Sequence, residues 1–101
     1  MTIEVLYVPG CPNYQPTMER VKTVLSSEFL SDRPHGVAVS TDAEAKSLKF
    51  PGSPTVRVNG RDIDPSAIPQ IGLACRIYAN GSGVPAEHML RAAILRAKRE
   101  E

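Results

Sequence analysis

The feature that most constrains this chain is its opening. A nearly continuous apolar run, Ile3-Glu4-Val5-Leu6-Tyr7-Val8, is stopped by Pro9-Gly10 and followed at once by Cys11-Pro12 and a helical pattern. Such a run, rich in β-branched residues, predicts a central strand buried on both faces. From Tyr14 to about Phe29, the residues Met18, Val21, Val24, Leu25 and Phe29 recur at spacings of three and four. That spacing predicts one face of an amphipathic helix. Pro16 falls in its first turn, where a missing N–H costs little. A strand that runs straight into a helix leaves Cys11 in the turn between them, beyond the strand's carboxyl end. In α/β sheets, reactive groups collect there.

The rest of the chain continues the alternation. Ser31 to Gly36 reads as a loop, and Val37-Ala38-Val39-Ser40 as a second short strand. Thr41 or Asp42 can cap a short helix through Leu48, with Asp42 and Glu44 near its positive end. Phe50-Pro51-Gly52-Ser53-Pro54 breaks the chain; Thr55-Val56-Arg57-Val58 then alternates as a half-buried strand. Asn59-Gly60 is the strongest short hairpin signal, with Arg61-Asp62-Ile63-Asp64 as the returning strand. The stretch 65–83 contains Cys75-Arg76-Ile77-Tyr78 and reads as an irregular loop insertion with one strand-like piece. A last helix begins near Pro85 and packs Met89, Leu90, Ala93, Ile94 and Ala97. The order β-α-β-α-β-β-α predicts an α/β domain: a parallel pair from the first βαβ unit and an antiparallel pair from the hairpin. Together they make a four-stranded mixed sheet flanked by helices. With 101 residues and no dividing linker, one domain over 1–101 is expected.

Composition removes several function classes. The net charge is +1, with both signs spread along the chain, so nothing points to nucleic acid. The one basic cluster, Arg91, Arg96, Lys98 and Arg99, sits at the end of the last helix, where cations complement the macrodipole. No apolar run reaches the roughly 18 residues of a membrane span. Met1-Thr2-Ile3-Glu4-Val5 has neither the basic start nor the apolar stretch of a secretory signal, so a cytoplasmic location and no membrane partner are expected. In that reducing compartment two cysteines suggest chemistry rather than a structural disulfide. His35 and His88 lack zinc-ligand spacing and read as surface residues. Asp62 and Asp64 share a strand face without further ligands, so no metal site and no cofactor are assigned.

Cys11 is the chemical centre of the sequence. A thiol attacks only as the thiolate, and the unpaired N–H groups at a helix start stabilise that anion. Pro9, Gly10 and Pro12 hold the turn outward. The bland alternative is that Cys11 merely packs under the loop. For Cys75 the alternatives stand level: a small buried hydrophobe before Ile77, or a second functional thiol. If Cys75 approaches Cys11, an internal disulfide, a resolving step or two-coordinate capture of a soft metal ion becomes possible. Arg76 beside it reads either as an anion-binding group or as a solvent-facing side chain. Tyr7, Tyr14 and Tyr78 are potential donors to a sulfur, with Tyr7 better placed in the core.

The strand entering Pro9-Gly10-Cys11-Pro12-Asn13-Tyr14, followed by Gly52-Ser53-Pro54-Thr55 and the Val56-Arg57-Val58-Asn59-Gly60 hairpin, resembles the thioredoxin and glutaredoxin superfamily. The resemblance covers most of the chain and is weakest in 65–83. It implies a thioredoxin-like domain in which the cysteine motif opens the first helix and a cis-proline, here at Pro54, faces it. A cis bond would turn the Ser53 backbone towards Cys11 and offer an edge to a peptide or thiol substrate, so Ser53, Pro54 and Thr55 are expected to bind substrate; Tyr14 and Arg76 join them as candidate donors to a sulfur and to an anionic group. The narrower set CPNY, GSPT, VNGRD and GLACRIY looks like small bacterial thioredoxin-fold proteins, some labelled alkylmercury-lyase-like.

One departure matters. The superfamily motif is Cys-x-x-Cys, and here the fourth position is Tyr14. Resolution of a mixed disulfide then falls to an external thiol or to Cys75. The expectation is a thiol-disulfide oxidoreductase or thiol-transfer protein with Cys11 and Cys75 as catalytic residues, acting on protein or low-molecular-weight thiols and disulfides. A soft-metal or organomercurial binding protein is the second reading. Alkylmercury lyases use two cysteines and an aspartate, and Tyr14 stands where that aspartate would match, which speaks against carbon–mercury cleavage. A non-catalytic module docking a partner on the Pro54 face is the third.

Overall fold

A computed structural model describes residues 1–65 and 71–101. The element order is β1 (Ile3–Tyr7), α1 (Tyr14–Ser27), β2 (His35–Ala38), α2 (Asp42–Leu48), β3 (Thr55–Val58), β4 (Arg61–Asp62) and α3 (Glu87–Arg99). The strands form one mixed sheet in the order β2-β1-β3-β4. β1 runs parallel to β2, with Val5 opposite Gly36, and antiparallel to β3, with Val5 opposite Val56. β3 and β4 close the antiparallel hairpin. The apolar opening run is therefore central: Ile3, Val5 and Leu6 are buried, as a strand flanked on both edges and covered on both faces must be.

Each face of the sheet has its own core. On one side α1 and α3 bring Met18, Val21, Val24, Leu25, Leu90, Ile94 and Ala97 against Ile3, Val5, Val56 and Val58. On the other, Leu6 and Val39 pack with Ala45 and Phe50 around α2. Burying a side chain of this size contributes about 1.5–3 kcal/mol, so these two layers set the strand register that carries the loops. α2 starts as its sequence predicts. The Thr41 hydroxyl accepts the Glu44 N–H at 3.1 Å while Glu44 accepts the Thr41 hydroxyl and the Ser40 N–H, the reciprocal pattern of a capping box.

Two expectations shift. The second strand begins at His35 rather than Val37, with Val39 just beyond it and still bonded to the Tyr7 carbonyl at 2.8 Å. Phe29, expected on the apolar face of α1, is 96% exposed at φ 56°. The helix stops at Ser27, two residues short of its periodicity. Leu30 N–H bonds to Leu25 O and Phe29 N–H to Ser26 O, the paired bonds of a Schellman ending with Phe29 in the left-handed position usually held by glycine. Leu30 turns back onto the core in its place.

Of the 65–83 insertion, residues 66–70 lie outside the described residues. The remainder is tied down. Gly72 N–H bonds to Phe50 O at 3.1 Å, Ser53 N–H to Ala74 O at 2.8 Å, and Arg76 N–H to Ser53 O at 2.9 Å. A short parallel bridge pairs Ser53 with Cys75. The strand-like piece expected here is this segment, running beside residues 50–53.

Candidate functional site

The site is built from two turns and a strap. Val8-Pro9-Gly10-Cys11 closes on itself by a bond from Cys11 N–H to Val8 O at 3.0 Å, with Gly10 at φ 88°. Proline followed by a residue at positive φ is the requirement of a type II turn, which glycine meets without strain. Tyr14 N–H then bonds to Cys11 O at 3.3 Å, and α1 begins. No side chain caps α1 and its first turn carries no acid. Cys11, partly exposed and in no disulfide, thus lies just before a helix start whose first turn carries no carboxylate.

The second turn carries Ser53 and Pro54, joined by a cis peptide bond. Ser53 is 2% exposed and each of its polar groups is engaged. Its hydroxyl accepts the Val8 N–H at 3.0 Å, and its main chain pairs with Ala74 and Arg76. Val8 is therefore the shared element: its carbonyl holds the Cys11 turn, and its N–H holds the Ser53 side chain. Cys75 lies directly across from Ser53 in the parallel bridge, exposed where Ser53 is buried. Both cysteines are free thiols, and their main chains are linked in sequence through Val8 and Ser53.

Arg76 and Tyr78 hold the strap from beneath. The Arg76 guanidinium, expected to bind an anion or face solvent, is 4% exposed. It makes two bonds to the Asp62 carboxylate, at 2.7 and 2.9 Å, and others to Thr55 Oγ1 at 3.2 Å and Asp64 O at 3.0 Å. Burial, the largest single influence, disfavours its charge, but the Asp62 hydrogen bonds together with the nearby Tyr78, Asp62 and Asp64 charges raise its pKa on balance. It also lies 4.5 Å over the Tyr78 ring, close enough for a cation–π contact. The Tyr78 hydroxyl donates to Pro54 O at 2.6 Å, and burial drives its pKa well above the ordinary tyrosine range. Thr55 is fully buried, its hydroxyl donating to Gly52 O at 2.6 Å. Along the strap the side chains alternate: Arg76 and Tyr78 inward, Leu73, Cys75 and Ile77 outward.

Tyr14, three residues after Cys11, stacks on Tyr7 with ring centroids 3.7 Å apart. Burial, then the neighbouring Tyr7, raises its pKa. Its ring end lies against Gly36, where a Cβ would come within 3.1 Å of Tyr14 Cζ and collide with the hydroxyl. Tyr14 is thus a strut between α1 and β2. Asn13 is covered from the far side, for a Cβ at Gly83 would meet its side-chain amide. His35 and His88 are exposed. No group of three or more potential metal ligands occurs among the described residues, and none of their helices is long and apolar enough to cross a membrane.

Of the residues expected to form the site, Cys11 is linked to Ser53 through Val8, and Ser53 to Pro54 by the cis bond and to Cys75 by the bridge. Thr55, Arg76 and Tyr14 serve the frame around them. The polar network Asp62–Arg76–Tyr78–Pro54 was not legible from the sequence. Its only signal was period-two alternation through Cys75-Arg76-Ile77-Tyr78, which puts an arginine on the inward side and demands a carboxylate nearby. The hairpin return Arg61-Asp62 supplies it. No family model matches the chain, and neither a curated protein nor a solved structure matches it.

Proposed function

We propose that this chain is a thioredoxin-like thiol–disulfide exchange protein of the cytoplasm, with Cys11 as the attacking thiol and Cys75 as the resolving one. The observation that supports this reading is the linkage Cys11–Val8–Ser53–Cys75: the Cys11 turn bonds to Val8, Val8 to the Ser53 hydroxyl, and Ser53 bridges Cys75.

In the reaction, the Cys11 thiolate attacks one sulfur of a disulfide RSSR′. The S–S bond breaks, R′S⁻ leaves and takes a proton, and a Cys11–SR mixed disulfide forms. The Cys75 thiolate then attacks Cys11 Sγ, releasing RS⁻ and leaving a Cys11–Cys75 disulfide. The substrate gains two electrons and the protein loses two. Two molecules of a low-molecular-weight thiol return the protein to the dithiol and are themselves oxidised to a disulfide. The test is turnover of a small disulfide with such a thiol as reductant. Cys11→Ser is expected to abolish it, and Cys75→Ser to slow it about tenfold or more. A Cys11→Ser variant with full activity overturns the proposal.

The same pair of thiols supports a second reading, two-coordinate capture of a soft metal ion. It predicts a one-to-one complex with a thiophilic ion that both Cys11→Ser and Cys75→Ser weaken.

A further inference from the structure

We propose that this site accepts small disulfides and excludes extended polypeptide, because the chain's own residues 74–76 already fill the main-chain edge beside Pro54. The inference rests on the thiol-exchange reading and names its substrate class.

An extended peptide docks at a sheet edge by pairing with free N–H and C=O groups. At the wall next to Cys11 the groups available for this are those of Ser53. Both are taken: its N–H by Ala74 O at 2.8 Å and its C=O by Arg76 N–H at 2.9 Å. The strap that takes them is not loosely laid. Arg76 anchors it through two bonds to Asp62, and Tyr78 through its hydroxyl on Pro54 O. Ser53, Pro54 and Thr55 are buried beneath it. Further along, the chain at Gly83 closes against Asn13, beside the Cys11 turn.

The edge has moved outward by one strand. Because Ser53 pairs with the residues on either side of Cys75, the N–H and C=O of Cys75 itself point away from Ser53. A peptide pairing there would lie about 4.8 Å farther out, beyond Cys75 rather than beside Cys11. The arrangement leaves Cys11 partly exposed while denying main-chain contacts to whatever disulfide approaches it. A small disulfide needs only the sulfur. A polypeptide loses the pairing that would hold it.

The test uses Cys75→Ser, which keeps the main-chain bonds of the strap and removes the resolving thiol, so that Cys11 is trapped as a mixed disulfide. Two probes are compared by mass spectrometry against time: oxidised glutathione, and a mixed disulfide between glutathione and a nine-residue extended peptide. Circular dichroism checks that the variant is folded. The expected result is trapping of Cys11 by oxidised glutathione at least tenfold faster than by the peptide probe. Equal or faster trapping of the peptide overturns the small-substrate inference and leaves thiol exchange standing. Trapping by neither probe overturns the exchange reading and this inference with it.

Discussion

The two cysteines are held in place by opposite means. Cys11 is delivered locally: a buried strand, a proline–glycine turn and an amphipathic helix lie within a short stretch of chain, and the apolar layer of α1 and α3 holds them. Cys75 is delivered at long range by polar contacts, a buried ion pair, a tyrosine hydroxyl and two main-chain bonds to Ser53. Apolar packing is non-directional, so it fixes the layer and tolerates small changes in neighbours. A buried charge is intolerant, because removing its partner leaves it without solvent or counter-ion. The first half of the site should therefore fail with the whole fold, and the second should be able to fail by itself.

The largest effect is expected in the apolar half. Leu90→Ala empties a fully buried position under α1 and should cost about 3–4 kcal/mol in urea unfolding. Amide exchange at Arg76 should be no faster relative to that at Val5 than in the parent chain. Selective loosening of the strap would break the comparison.

Asp62→Ala comes next. It strands the Arg76 guanidinium, whose side chain is 3% exposed, while Asp62 itself is 20% exposed. That partial exposure puts the cost near about 3 kcal/mol, the low end for breaking a buried pair. The amides of Ser53 and Arg76 should exchange faster while those of β1 hold. A loss below about 1 kcal/mol would show that the ion pair does not hold the strap.

Gly36→Ala should cost about 1–2 kcal/mol, since the new methyl meets the Tyr14 ring end and the stacked pair must shift. An unchanged stability would mean that Tyr14 is not a strut there.

Tyr78→Phe is the mildest and should cost about 1 kcal/mol, one hydrogen bond to Pro54 O. It carries a pH signature. Burial raises the folded-state pKa of Tyr78 above its ordinary value of 10.0, so the neutral phenol is favoured in the folded chain. Its contribution is complete below pH 10 and is lost as the pH climbs above that value towards the folded pKa. Unfolding curves from pH 8 to 11 should therefore fall more steeply for the parent than for Tyr78→Phe. Parallel curves would contradict the burial assigned to this hydroxyl.

The contrast also explains what could be read from the chain alone. The apolar spacing in Met18, Val21, Val24 and Leu25, the Asn59-Gly60 turn and the Thr41 cap each encode a local decision, and the elements follow them. Phe29 obeyed the same periodicity but lost to the helix ending, where Leu30 could bury instead. Arg76 and Tyr78 depend on partners distant in sequence. An arginine in a loop looks solvated until β4 is seen to place Asp62 under it. The resemblance led to an edge at Ser53 offered to substrate, whereas Ala74 and Arg76 of the same chain occupy that edge.

The most direct test of the account is mild oxidation of the reduced protein, followed by proteolytic mass mapping under non-reducing conditions. The predicted result is an intramolecular Cys11–Cys75 disulfide in most molecules at micromolar protein concentration. Cys11 and Cys75 each found singly, as intermolecular dimers or as free thiols after the same treatment, would contradict the claim that the Ser53 bridge brings the two thiols into one site.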